Sequence, residues 1–424
     1  MIDRSIAPKF ERINKFNIQK VTPFKLTNGR KLHYLRSDAQ PVVKIELLFK
    51  TGHIHESKTG MCSFAFKMLS EGVDGLSGKE IAEFIEHHGA QIDVSPGTDY
   101  SSVAIYCLRQ HTEALLPILH KIVNFPTFPE QELETAKTQR KQSIMVNLEK
   151  NSFIASRAFR NALFGVDHPY GKVWALEDID AVTTTDCRDF FNDHIRNKFE
   201  VLLCGDVDDQ LIAQIDELFG QERLSNKNES TQLPPIVSAT SPVHVQKADS
   251  LQSAIRIGRP IFTKKHEDYA ALSIINEILG GYFGSRLMKN IREDKGYTYG
   301  IHSSLYSFQS HGYWAIGAEV NGENTKEAVI EIHKEVQKLI DEPVPAEELE
   351  IVQNYILGQY LSSVNTPFAL LEKFKSVYLF GQGYEYYDQY LDVLNAVTPA
   401  SLQKIAAQYW QKDDLIEIVV GKID

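Results

Sequence analysis

Several groups of residues in this chain have types and spacings that could do chemistry. His53-Ile54-His55-Glu56-Ser57 holds an imidazole and a carboxylate three apart, a spacing that grips a metal when it lies on a helix. The run follows Gly52 and stands before the expected helix, so a surface loop is expected, without a shared helical face. His87 and His88 follow Glu83 and Glu86 and end another expected helix just before Gly89. Histidines in a last turn suit the helix dipole, which makes a structural role the expectation. Arg292 and Tyr299 stand seven residues apart around Gly296. An arginine fork can hold a peptide carbonyl, and a tyrosine hydroxyl can stabilise an oxyanion. The alternative is an arginine suited to a helix C-terminus and a strand tyrosine packed on a core. The four cysteines, Cys62, Cys107, Cys187 and Cys204, lie far apart in apolar surroundings with no C-x-x-C spacing, and are expected to be small buried hydrophobes.

The elements that must position these residues occur twice. Phe128-Pro129-Glu130-Gln131-Glu132-Leu133-Glu134 is answered by Val344-Pro345-Ala346-Glu347-Glu348-Leu349-Glu350, and Pro129 to Pro345 is 345 − 129 = 216. Ile179-Asp180-Ala181-Val182-Thr183 is answered by Leu394-Asn395-Ala396-Val397-Thr398, with 396 − 181 = 215. The β-rich runs Phe199 to Gly205 and Leu415 to Gly421 end 421 − 205 = 216 apart. Three matches at nearly one offset indicate an internal duplication. Each copy opens on a strand (Val42 to Phe49, Gln252 to Gly258) and a helix (Thr59 to Glu71, Glu267 to Leu279). In the first copy, Thr112 to Val123 and Glu130 to Leu148 have helical periodicity, and Pro129 suits a first turn. Strands and helices in blocks predict α+β architecture: two homologous α/β sandwich domains, each an antiparallel or mixed sheet packed with helices. The expected division is residues 1–222 and 242–424. The polar stretch 223–241, with Pro234-Pro235, is the expected linker.

Gly60-Met61-Cys62-Ser63-Phe64-Ala65-Phe66-Lys67-Met68-Leu69-Ser70-Glu71-Gly72, led by Lys58-Thr59, resembles the segment of pitrilysin/insulinase-type zinc peptidases that carries H-x-x-E-H. His168-Pro169-Tyr170-Gly171, the run Gly280-Gly281-Tyr282-Phe283-Gly284-Ser285-Arg286-Leu287 and Ile291-Arg292-Glu293 extend the resemblance, which with the duplication covers nearly the whole chain. Ser63, Phe66 and Lys67 stand where the family has His, Glu and His. Serine is a poor zinc ligand, phenylalanine cannot take a proton, and lysine brings a positive charge where the cation would sit. The family's third ligand, a glutamate, falls near Gln142, Ser143 and Ile144, none of them acidic. The resemblance therefore implies no catalytic residue and no metal site in this chain alone.

In that family the second copy supplies an Arg/Tyr pair that holds the substrate backbone, and Arg292 and Tyr299 match it. Gly280 and Gly281 match the place of the glycine-rich loop in the zinc-free subunit of mitochondrial processing peptidase; a plain helix cap and turn is the alternative. Gln91-Ile92-Asp93-Val94-Ser95-Pro96 matches an edge strand to which substrate adds, blunted here by Pro96.

The resemblance implies a non-catalytic, substrate-binding subunit with a homologous zinc-bearing partner, the two enclosing a peptide in a clam-shell chamber, with zinc in the partner. A structural core-type subunit, as in respiratory complexes of this fold, and a stand-alone peptide-binding protein are the alternatives. A formal net charge of -11 argues against nucleic acid or an anionic membrane as main partner. With no apolar run of signal or membrane-spanning length, a cytoplasmic protein is expected.

Overall fold

The computed structural model describes residues 18–224, 233–239 and 242–422. The first half builds a mixed sheet from β1 (Thr22–Lys25), β2 (Lys31–Arg36), β3 (Val42–Phe49), β6 (Gln91–Ser95), β7 (Ser101–Leu108) and β8 (Phe199–Gly205); β4 (Gly72–Val73) and β5 (Leu76–Ser77) form a separate small hairpin. Its helices are α1 (Met61–Lys67), α2 (Gly78–His87), α3 (Thr112–Asn124), α4 (Glu130–Leu148), α5 (Asn151–Phe164), α6 (Leu176–Ala181), α7 (Thr184–Phe190) and α8 (Asp209–Phe219). The second half builds a sheet from β9 (Val243–Gln246), β10 (Gln252–Ile261), β11 (Thr298–Ser307), β12 (Gly312–Asn321) and β13 (Ile416–Gly421). Around it stand α9 (Tyr269–Asn276), α10 (Thr325–Asp341), α11 (Ala346–Ser362), α12 (Pro367–Tyr378), α13 (Glu385–Ala396) and α14 (Pro399–Tyr409).

The duplication is written into the strand order. The first sheet runs β1-β2-β8-β3-β7-β6 and the second, read from its far edge, β9-β13-β10-β12-β11. Each has one parallel pair, β2 with β8 and β9 with β13, and antiparallel pairs elsewhere. The strands correspond one for one, with β1 an addition to the first copy. Pro129 caps α4 and Pro345 caps α11, while Gly205 (φ 107°) and Gly421 (φ 143°) end the matching strands.

Each sheet has its own helices on one face. Val43, Ile45, Leu47 and Phe49 of β3 pack with Phe64, Phe66, Leu115, Leu119 and Leu211. The other face is covered by the opposite half. Leu370, Leu371 and Phe374 of α12 pack on Leu35, Leu48, Leu202 and Cys204 of the first sheet. Ala155, Phe159, Ala162 and Leu163 of α5 pack on Ala254, Ile416, Ile418 and Val420 of the second. The halves thus exchange helices, and β3 is buried on both faces, its charged Lys44 and Glu46 included. Burying each large apolar side chain contributes roughly 1.5–3 kcal/mol, so this exchange is a major part of the stability.

Of the expected linker, residues 225–232 and 240–241 lie outside the described residues. The stretch 233–239 runs along α5, where the Ala239 N–H donates to the Ala162 carbonyl (2.7 Å) and the Ser238 hydroxyl to Leu163 (2.8 Å). All four cysteines are buried free thiols, and burial pushes Cys187 and Cys204 up to about 12. Among the described residues no helix is long and apolar enough to cross a membrane.

Candidate functional site

In the first copy, α1 starts after Gly60, whose φ of 93° favours glycine. Glu56 supplies what an α-helix lacks at its start: its carboxylate accepts the Gly60 and Cys62 N–H groups, both at 3.1 Å. His53 lies 3.1 Å from Glu56 and 3.4 Å from the Ser63 hydroxyl. The expected surface loop is thus corrected. His53–His55 is a single 3-10 turn folded against α1, and its glutamate is a helix cap. His88 ends α2 as expected, its Nδ1 donating to the Phe84 carbonyl at 2.8 Å.

Ser63 of α1 and Ser143 and Ile144 of α4 line one cavity of about 400 Å³, so the structure brings together positions that the sequence separates by eighty residues. Phe66 turns the other way, into the core, with its ring edge on Phe49 at 5.2 Å. Lys67 does not point its charge into the cavity. Its ammonium sits 2.5 Å from Glu71, one turn along, because a half-exposed ion pair costs less than an unpaired buried charge. A serine, a core phenylalanine and a salt-bridged lysine do not fit a zinc ion. Among the described residues no three His, Cys, Asp or Glu side chains meet as a metal requires.

In the second copy, a π-helical segment, Met288–Asp294, carries Arg292. Gly296 (φ 67°) turns the chain into β11. The β11–β12 register slips between Thr298 and Ile301, a bulge that leaves Tyr299 and Gly300 out of the ladder. The Thr298 hydroxyl fixes it, accepting the Gly300 N–H (3.1 Å) and donating to the Glu319 carbonyl (2.6 Å). The result is a tyrosine side chain aimed at solvent, 92% exposed. The Arg292 guanidinium lies 4.6 Å over the ring of Phe283, itself exposed. Arg292 and Tyr299 line one concavity of about 600 Å³ with Gln252, Glu319 and Asn321. An adjoining one of about 700 Å³ shares Gln252 and Glu319 and reaches Asn151 and Ser152 at the start of α5.

Gly280 and Gly281 are not in the lining of that concavity. Gly280 is buried where a π-turn, Glu277–Gly281, meets β11; a Cβ there would fall 2.7 Å from Ser303. Close approach of helix and strand is what requires glycine at that position. Among the described residues the first-copy edge strand β6 pairs only with β7, and Pro96 follows its last residue.

Residues 33–166 match the insulinase domain of peptidase family M16, and residues 181–356 match the peptidase M16 inactive domain. The chain belongs to peptidase family M16. It is 22% identical over 383 residues to the uncharacterized zinc protease YmxG of Bacillus subtilis, covering 89% of this chain and 92% of that one. It is 23% identical over 333 residues to the non-peptidase homolog YmxG of Helicobacter pylori, covering 77% and 76%. The crystal structure of a peptidase M16 inactive domain from Pseudomonas fluorescens matches with a TM-score of 0.85 at 21% identity, over 96% of this chain and 99% of that one.

Proposed function

We propose that this chain is a non-catalytic, peptide-binding subunit that works in the cytoplasm beside a homologous zinc-bearing M16 chain. The two would form a clam-shell chamber around unfolded peptide, with the zinc and its general base in the partner. One observation carries the reading. Arg292 and Tyr299 share a concavity, and a bulge aims the tyrosine outward while neither side chain serves a core. An arginine fork and a phenol placed together suit a peptide carbonyl whose oxygen gains charge during hydrolysis. The displaced metal positions give this chain nothing of its own to hydrolyse a bond with. Of the relatives, one is named a zinc protease and another a non-peptidase homolog, so the family accommodates both conditions.

The test is reconstitution with a zinc-bearing homologue from the same genome, reading zinc content and cleavage of a quenched fluorescent peptide. We expect no stoichiometric zinc in this chain, activity in the mixture, and a loss of roughly 100-fold in the mixture's kcat with Arg292→Ala or Tyr299→Phe. Stoichiometric zinc and cleavage by this chain alone would sink the proposal. Unchanged rates in both variants would leave only a structural role.

A further inference from the structure

The cavity that holds Ser63 and Ser143 is lined by cations. Arg140 of α4, Arg157 and Arg160 of α5 and Lys172 all face it. Arg157 and Arg160 are half-buried. Each spends one donor on a backbone carbonyl, Arg157 on Trp174 (2.6 Å) and Arg160 on Tyr170 (3.0 Å). A guanidinium has five N–H groups, so most of each fork is left over. The Arg140 guanidinium lies over the Trp174 ring at 4.3 Å, which helps to hold it at the cavity wall. Two acids line the same cavity. The Glu56 carboxylate is already taken by two amides and His53, and Asp167 is exposed. Among the described residues neither acid forms an ion pair with the three arginines. Instead the arginines feel one another. Burial first, then the charges of Arg140 and Arg160, hold Arg157 below the ordinary guanidinium range. Three guanidinium groups gathered with no carboxylate paired to them repel, and an arrangement of that kind is stabilised by an anion that enters.

The geometry points to an oxyanion-binding pocket in the space of the missing metal site. It would take a small ligand whose carboxylate or phosphate is gripped by Arg140, Arg157 and Arg160. Trp174, Phe153 and Ile144 give the same cavity an apolar wall, so the ligand carries an apolar group beside its anion. Arginine forks match carboxylate and phosphate alike in geometry, which leaves two sources for one chemistry. The inference does not depend on a zinc-bearing partner, since every residue belongs to this chain.

Isothermal titration of the purified full chain separates the sources. The probes are N-acetyl-phenylalanine, its uncharged amide and inorganic phosphate, each up to about 10 mM. Saturable binding of the acid but not the amide assigns a carboxylate. Saturable binding of phosphate alone assigns a phosphate. In either case Arg140→Gln and Arg157→Gln should each weaken binding roughly tenfold or more. Lys79→Gln, on the exposed face of α2, should leave it unchanged. Circular dichroism melting checks that the variants fold, and Arg157→Lys, which keeps charge but not the fork, should weaken binding without unfolding. No saturable binding of acid or phosphate overturns the inference, as does equal loss in Lys79→Gln.

Discussion

Lys375 of α12, in the second half, lies 2.7 Å from Glu46 of β3, in the first. Lys44 and Glu372 complete an alternating ring: Lys44 is 2.6 Å from Glu46 and 2.8 Å from Glu372, and Lys375 is 2.8 Å from Glu372. Glu46 is 1% exposed and Lys44 is buried with it, so water screens that side of the ring little, while Glu372 faces solvent.

Removing one member should therefore be costly. Glu46→Gln leaves two lysines facing each other against one remaining acid, and is expected to destabilise the chain by about 3–5 kcal/mol. Urea unfolding of wild type and variant gives the difference. A cost below about 1 kcal/mol would mean that solvent reaches Glu46.

The ring also sets a pH window. Burial alone would lift the Glu372 carboxyl, but hydrogen bonds from Lys375 and Lys44 outweigh it and hold it low. Burial alone would lower the Lys44 ammonium, but Glu46 and Glu372 outweigh it and hold it high. A depressed acid stabilises fully above its unfolded pKa of about 4.3 and ceases to as pH falls through its folded value. A raised amine stabilises fully below about 10.4 and ceases to as pH rises through its folded value. Glu372→Gln should thus be less stable than wild type at neutral pH, and the gap should close in acid. Urea midpoints across that range measure it; a constant gap would contradict the assignment.

Tyr299→Ala should be invisible to folding, within about 0.5 kcal/mol, because the side chain is almost fully exposed. Trp314→Ala, by contrast, should cost about 3–5 kcal/mol. Trp314 stacks on Trp410 at 4.6 Å, and its indole N–H donates to the Ser303 hydroxyl at 2.7 Å. Thermal melts of both variants make the comparison. A Tyr299→Ala variant that melts early would mean the ring packs on something.

Gly280→Ala pushes a methyl against Ser303, where both its Cβ and its backbone nitrogen are 2.7 Å from the added atom. Overpacking of this kind costs about 1–3 kcal/mol. The strain falls on β11, so the variant should also weaken the mixture's peptide cleavage. A melt unchanged from wild type would show that the π-turn yields freely.

Chelation gives a further contrast. A protein whose fold depends on a bound metal loses stability when the metal is removed. With Ser63, Phe66 and Lys67 disposed as they are, excess EDTA should leave the melting curve of this chain unchanged. A downward shift would reveal a metal contributing to the fold.

Much of the fold is legible in the residues. Val42–Phe49, Glu130–Leu148 and Phe199–Gly205 form where apolar pattern and flanking glycine or proline place them. The offset of Pro129 from Pro345 foretells matching strand orders. Two helices end sooner than their pattern: α1 tightens into a 3-10 turn at Met68–Ser70, and α9 widens into a π-turn at Glu277–Gly281. The helix exchange is not legible, because periodicity marks which face of α5 or α12 is apolar and not which sheet receives it. Tyr299's exposure depends on a register slip that no local pattern announces. The arginine cavity has a faint signal in the sequence. Arg157 and Arg160 share a helical face, and α5 contains no acidic residue to neutralise them.

The exchanged helices also decide what can move. Sliding the two copies apart would strip α12 from the first sheet and α5 from the second, exposing two cores at once and breaking the ring at Lys375. A hinge needs a few residues that turn while the packed bodies stay intact, and among the described residues the helix exchange leaves no such seam between the copies. The described parts of the two copies pack as one body. If the proposed two-chain chamber forms, the opening that admits a peptide would fall between the chains, and its rate would be set by their interface and not by either fold.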